Sequence, residues 1–410
     1  MKDKVKNLAL KLHPKRVITL LDTLLKDESI GGKLILVAAL LSLIVVNSPL
    51  RDEFSHFWHI PLSIGLGDWG FSLDLRHWLN EGLMAFFFLV VGLEIKRELV
   101  KGELKDTRTA ILPIGAALGG MIIPALAYLI FNLNTDSIQG WGIPIATDIA
   151  FAVAVLSLLS NRVPVSLKIF LLSLAIADDI GAIFVIALFY AEIINYWYLA
   201  ASFLLVIGIF VFRKQLTYRL LVVSLLGILL WGTTHLSGIH ASIVGAVMGF
   251  LAPVARSGST VGVSEKVEKL LLPITTFLVL PIFAFANAGF VMNADALTTN
   301  QSILWGIFFG LVLGKVAGIT LACWLLVKLK VARLPKGVVW SHIIGIGFIA
   351  GIGFTVSIFI TELAFLDNQA YINTAKIGIF VASAVSALLG YMLLRSSVMA
   401  KKNRVDQFDH

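Results

Sequence analysis

Twelve apolar stretches, each about long enough to cross hydrocarbon as a helix, follow one another along this chain. They fall at approximately 32–49, 77–99, 109–131, 140–158, 166–190, 197–212, 218–234, 238–252, 270–292, 303–327, 338–361 and 373–394. Lipid offers backbone groups no partner, so continuous runs of this length read as helices. Composition agrees, because only 14% of the 410 residues are charged, against about 25% in soluble domains. The expected fold class is therefore an all-α membrane protein with twelve transmembrane helices. The one cysteine, Cys323, excludes an internal disulfide framework. The first long run starts near Leu34 behind a basic stretch and lacks a small-x-small site, so a cleavable signal peptide is not expected.

The basic residues set an orientation. Of 33 Lys and Arg, 29 lie before the first run, in alternate connections, or in the C-terminal tail. The intervening connections carry only Arg51 and Arg76, with Lys376 at a helix edge and Lys315 inside a run. Since Lys and Arg are retained on the cytoplasmic side, this predicts a multi-pass protein with both termini cytoplasmic. The same asymmetry accounts for the net charge of +8 without a nucleic-acid partner.

Residues 1–30 place Val5, Leu8, Leu12, Ile18, Leu21 and Leu25 at helical spacing among lysines, which predicts a basic amphipathic helix on the cytoplasmic interface. A solvated tail is the plainer alternative. Residues 31–395 form the expected twelve-helix domain, and 396–410 a cytoplasmic tail. Within the domain, apolar residues alternate over 60–75 around Gly65-Leu66-Gly67-Asp68, which predicts a short outer β-hairpin.

Four ionisable residues sit where an apolar run should be apolar throughout. Asp178 and Asp179 occupy the middle of the fifth run, Asp148 that of the fourth, and Lys315 that of the tenth. A charge at mid-membrane costs about 2.5–3.5 kcal/mol on insertion scales, so each is a candidate functional group. Lys315 is roughly 18 Å of helix from either interface, beyond snorkelling reach, and must find an internal partner or become neutral. Adjacent carboxylates project about 100° apart but can border one cavity, where they repel and compete for protons or a small cation. Pro144 predicts a break in the fourth helix with a restart near Thr147 and Asp148. Asp148 there could cap the restart or handle an ion directly. In the eleventh run, Gly345, Gly347, Gly351 and Gly353 precede Thr355 and Ser357; they read either as an unwound site or as close-packing positions. Runs 3–5 and 10–12 start on opposite sides, so these interrupted helices, 4 and 11, are the middle members of two triplets of inverted topology.

Longer strings carry a resemblance. Ala177-Asp178-Asp179, Ala146-Thr147-Asp148-Ile149-Ala150-Phe151, the run from Phe87 to Leu99 containing Gly92-Leu93-Glu94-Ile95-Lys96-Arg97-Glu98, and Pro281-Ile282-Phe283-Ala284-Phe285-Ala286-Asn287-Ala288-Gly289 together resemble the NhaA family of bacterial sodium/proton antiporters, from about residue 30 to 395. The resemblance implies a secondary transporter, not an enzyme, of the bacterial inner membrane. It would exchange Na⁺ or Li⁺ for H⁺ electrogenically, under pH regulation, as a homodimer through 60–75 and with no resident cofactor. It implies that Asp179 is the principal ion and proton carboxylate, that Asp178 alternates between Lys315 and the ion, and that Thr147 is a ligand. Asp148 and Lys315 would compensate charge. Glu94, Arg97, Glu98, His240 and Glu268 match positions tied to pH response; surface pairing at helical spacing explains Glu94, Arg97 and Glu98 equally well from physics alone, and a lone histidine at a helix start, like His240, is more often structural. Glu81 stands where the family more usually has Asp.

Two other classes compete. A proton-coupled symporter of a small organic solute would need a larger pocket that orients the solute. An intramembrane aspartyl protease would use two membrane carboxylates, but its Gly-x-Gly-Asp string falls here at 65–68, in a polar connection. His56 and His59 lack further ligands for a metal.

Overall fold

A computed structural model describes residues 28–406 except 67–68, 160–162, 192, 217–218, 254–262, 293–299 and 367. The expected amphipathic segment 1–30 falls almost wholly outside them. Every apolar run contains helix. In chain order these are α1 (Glu28–Val46), the surface helix α2 (Arg51–Trp58), α3 (Met84–Lys101), α4 (Thr107–Asn132), α5 (Ile149–Ser157) and α6 (Val165–Phe189). Then follow α7 (Tyr196–Leu216), α8 (Leu220–Leu236), α9 (Ile243–Leu251), α10 (Val263–Ile274) and α11 (Leu280–Asn287). The last five are α12 (Gln301–Phe309), α13 (Lys315–Lys328), α14 (Trp340–Ala350), α15 (Phe354–Ala364) and α16 (Gln369–Asp406).

Among the described residues, six helices are long and apolar enough to cross a membrane, or up to nine if each of three bent pairs is one span. The second, seventh and eighth runs fall short of that test. The second carries Glu94, Lys96, Arg97 and Glu98 in α3, α8 is shorter, and α9 has nine residues, about 13 Å of rise. Large apolar side chains point outward, Ile130 at 75% exposure and Phe184 at 63% among them. A set of polar and charged ones, including Asp148, Asp178, Asp179 and Lys315, is buried. That inversion of the soluble pattern suits a solvent of hydrocarbon.

The expected hairpin is present: β1 (Pro61–Leu66) pairs antiparallel with β2 (Trp69–Asp74), with Pro61 opposite Asp74 and Leu66 opposite Trp69.

Both expected interruptions occur. A 3₁₀ segment, Asp136–Ile145, meets α5 at a 43° bend, and α14 meets α15 at 46°. The first half is 3₁₀ rather than α, and the break falls at 146–148, after Pro144 instead of before it. Proline's missing N–H is tolerated in that tighter segment, and the chain turns only where Ala146 becomes extended.

Helix separation explains how buried charges from different spans meet. Helices α4 and α13 run against each other, and a Cβ at Gly119 would fall on the Gly318 carbonyl oxygen. Only glycine allows backbones that close. The α14 glycines divide between the two expected uses: a Cβ at Gly347 would be 3.0 Å from the Val316 Cα, a packing role, whereas Gly351 caps α14 at the break.

Candidate ion site at the crossing of two interrupted helices

The two breaks hold each other. The Asp148 N–H donates to the Ile352 carbonyl at 2.7 Å, the Thr147 hydroxyl reaches the Ala350 carbonyl at 2.8 Å, and the Ser357 hydroxyl donates to the Ile143 carbonyl at 2.8 Å. Chain that has left the helical ladder thus satisfies its polar groups on the opposite break, as buried backbone must.

Asp148 caps two half-helices. Its Oδ1 accepts from the Phe151 N–H at 3.2 Å, at the start of α5. Its Oδ2 accepts from the Thr355 N–H at 3.0 Å and the Thr355 hydroxyl at 2.5 Å, at the start of α15. A carboxylate between two helix N-termini faces two positive dipole ends, which favour its charge. Of the two readings open in the sequence, this geometry is the capping one.

Asp178 and Asp179 lie in the middle of α6, both buried. Asp178 Oδ2 accepts from the Lys315 Nζ at 2.7 Å and from the Thr147 hydroxyl at 2.7 Å. Its other oxygen, Oδ1, is buried without a hydrogen-bond partner. Lys315, fully buried, also donates to the Ile145 carbonyl at 2.6 Å, the last of the 3₁₀ segment. The lysine that cannot snorkel therefore has an internal partner. Thr147 has one hydroxyl proton for two oxygens, so a proton on Asp178 would free it for the Ala350 carbonyl. No described donor hydrogen-bonds Asp179, whose charged neighbours are Asp178, Glu94, Asp148 and Lys315.

The site thus offers carboxylate, hydroxyl and carbonyl oxygens, the donors a hard cation takes. Among the described residues no three His, Cys, Asp or Glu side chains cluster as for a transition metal. A cavity of about 750 Å³, lined by Glu98, Lys101, Glu103, Lys105, Asp106 and Ser173 among others, opens on the basic-loop end of the bundle. Ser173 is about 7.5 Å of helix rise from Asp178.

The other sequence candidates separate into two places. On the side of that cavity, the Arg97 guanidinium donates to Glu268 at 2.5 Å and joins α3 to α10, and Lys101 pairs with Glu265. Glu98 accepts from the Glu103 N–H at 2.7 Å, while Glu94 lies on α3 within electrostatic range of Asp179. His240 is elsewhere: its Nδ1 is 2.9 Å from Glu81 Oε1, and the Ser242 N–H donates to Glu81 Oε2 at 3.2 Å. Glu81 is sixteen residues before Arg97 in sequence, about 24 Å along a helix.

Sequence reading missed several partners. The Ile145 and Ala350 carbonyls carry no signal, because every residue has one. Lys376, read as a helix-edge residue, is buried and pairs with Glu362 at 2.7 Å; a Glu and a Lys flanking one short connection are the hint. Thr355 was visible only as the end of a glycine run.

Half-helix ends meeting a buried charge cluster at mid-depth characterise secondary transporters, the NhaA proteins among them. The comparison with known proteins agrees: residues 22–394 match the family described as Na⁺/H⁺ antiporter 1, and the chain belongs to it. It is similar to the Na⁺/H⁺ antiporter NhaA of Vibrio cholerae serotype O1, 43% identical over 380 residues that cover 92% of this chain and 97% of the relative. The NhaA of Shewanella frigidimarina is 44% identical, covering 90% and 94%, and that of Helicobacter acinonychis 39%, covering 91% and 94%.

Proposed function

We propose that this protein is a secondary transporter of the bacterial inner membrane that exchanges cytoplasmic Na⁺, or Li⁺, for external H⁺. Membership of the family supports the exchange, and the Vibrio, Shewanella and Helicobacter relatives are named as Na⁺/H⁺ antiporters. The observation that carries the mechanism is the asymmetry of the carboxylate pair. Asp178 is held by Lys315 and Thr147 through one oxygen, and Asp179 beside it is held by no hydrogen bond from the described residues.

Asp179 is then the principal site for Na⁺ and for H⁺, with Asp178 and Thr147 completing it and Asp148 and Lys315 balancing charge. Two ions compete for one place, and only a loaded site permits alternation between inward- and outward-facing states. Since the ions carry equal charge, electrogenic exchange requires more protons than sodium ions per cycle, which two carboxylates can carry. Each extra charge moved gains about 2.3 kcal/mol per 100 mV. Glu94, Arg97, Glu98 and Glu268, near the cytoplasmic mouth, and His240 on the outer side, adjust the rate to pH. Twelve spans, cytoplasmic termini, triplets 3–5 and 10–12 of inverted topology and a homodimer joined through 60–75 complete the reading. Support for the orientation comes from the basic loops.

The test is dye-monitored H⁺ movement in proteoliposomes of the purified chain, scanned over pH and cation. Na⁺ or Li⁺ added outside a proton-loaded vesicle should release H⁺, and Asp179→Asn should abolish the response. Undiminished Na⁺-dependent H⁺ movement in that variant would overturn the assignment.

A further inference from the structure

Lys315 is the first residue after a π turn. Residues Gly310–Gly314 form that turn, with α12 before it and α13 after it. A π turn holds one residue more than the α turn it replaces. Each residue of an α-helix advances the face by about 100°, so without the extra residue Lys315 would face about 100° away from its present direction relative to α12.

The turn is seated where both broken helices and α4 converge. A Cβ at Gly310 would be 2.7 Å from the Pro144 Cβ and 3.2 Å from the Pro124 carbonyl oxygen, and a Cβ at Gly314 would be 2.8 Å from the Pro124 Cα. Between them, Leu311 is fully buried, and its carbonyl lies where a Cβ on Gly351 would fall, at the second break. The turn's glycines therefore let span-ten backbone lie directly on Pro124 and Pro144. From that seat Lys315 runs beside Gly120, where a Cβ would be 3.6 Å from its Cδ, to reach Ile145 and Asp178.

We propose that the π turn Gly310–Gly314 is the element that aims Lys315 at Asp178, and that Gly310 and Gly314 are positioning residues for that pair. The consequence for transport rests on the exchange reading above. The charged groups around the pair are Asp179 on α6, Asp148 at the first break and, beside Asp179, Glu94 on α3. An ammonium beside a carboxylate opposes its protonation, so withdrawing it lets protons compete better with Na⁺. The half-maximal pH of exchange then moves to the alkaline side.

The experiment is a double-mutant cycle on the full chain in proteoliposomes with Gly314→Ala, Lys315→Ala and the pair, and with Gly208→Ala as control, since a Cβ there meets nothing within 4 Å. Gly314→Ala is expected to shift the half-maximal pH alkaline by about one unit, in the direction of Lys315→Ala, and to add nothing to it in the double variant. A Gly314→Ala profile identical to wild type, or shifts that add, would overturn the positioning role. Thermal unfolding of the detergent-solubilised variants gives a second readout independent of transport. Lys315→Ala should lower the melting temperature clearly in the wild-type background and much less in Gly314→Ala, and an equal drop in both overturns the proposal. If the wild-type chain moves no H⁺ with Na⁺, the exchange reading fails while the unfolding cycle still decides the positioning. Should Gly314→Ala not reach the membrane, Gly310→Ala runs the same cycle.

Discussion

The carboxylate of Asp148 and the first turn of α15, where Thr355 sits, belong to different interrupted helices, 207 residues apart in sequence, yet Thr355 donates to Asp148 twice, from its N–H at 3.0 Å and its hydroxyl at 2.5 Å. That contact ties the two breaks together beside the bond from the Asp148 N–H to the Ile352 carbonyl. Thr355→Val keeps the shape and removes the hydroxyl donor, so it should lower stability by about 1–3 kcal/mol. Thermal unfolding of the purified protein measures this, and a melting curve unchanged from wild type would refute the role.

Competition for one site has a defined pH signature. Where protons must leave before Na⁺ binds, mass action makes the apparent KM for Na⁺ fall with rising pH by about tenfold per unit for each proton displaced, so the two-carboxylate reading predicts a fall steeper than about tenfold per unit where both Asp178 and Asp179 are protonated. The maximal rate should change far less there. A KM for Na⁺ independent of pH throughout the active range would exclude competition.

Arg97 and Glu268 join α3 to α10 through a pair in which the arginine side chain is 47% exposed and the glutamate 6%. Each of Arg97→Gln and Glu268→Gln should displace the pH profile of transport, and the double variant should fall short of their sum, with a coupling of about 0.5–1 kcal/mol that weakens in high salt. Strict additivity at low ionic strength would mean that the two act separately.

Gly119 and Gly318 bring α4 and α13 together backbone to backbone. Gly318→Leu should force them apart at a cost of about 1–3 kcal/mol, and displace Lys315 one turn away. Exchange is expected to fall roughly tenfold or more, in keeping with a lost transition-state term of about that size. Normal exchange with a normal melting temperature would show that the close approach is dispensable.

Much of this organisation was legible before any coordinates. Every apolar run contains helix, though the short helix α2 lies outside all of them; the alternation around Gly65 located the hairpin, Pro144 pointed to the first break, and the glycines before Thr355 left the second break open beside a packing role. The reason is that lipid imposes a length and a polarity on each span by itself, without reference to neighbours. Asp148, Asp178, Asp179 and Lys315 stood out for the same reason, since an ionisable residue in an apolar run is costly wherever it packs. The resemblance then attached roles to them.

Pairing was not legible. Sequence could require that Lys315 have a partner but not that it be Asp178 Oδ2 together with the Ile145 carbonyl. Nor could it assign Asp148 to Thr355 or Glu81 to His240, or reveal that Lys376 is buried against Glu362. Those contacts join segments up to 207 residues apart and depend on helix separation, on the exact residue where each span breaks, and on a single extra residue in the π turn before Lys315. The sequence by itself determined which segments are long and apolar enough to suit hydrocarbon and which charges are out of place in them, because both follow from the transfer of single segments between water and hydrocarbon. Only the tertiary structure decided which charge meets which, because a buried hydrogen bond is fixed to within a fraction of an ångström by packing that no local pattern encodes.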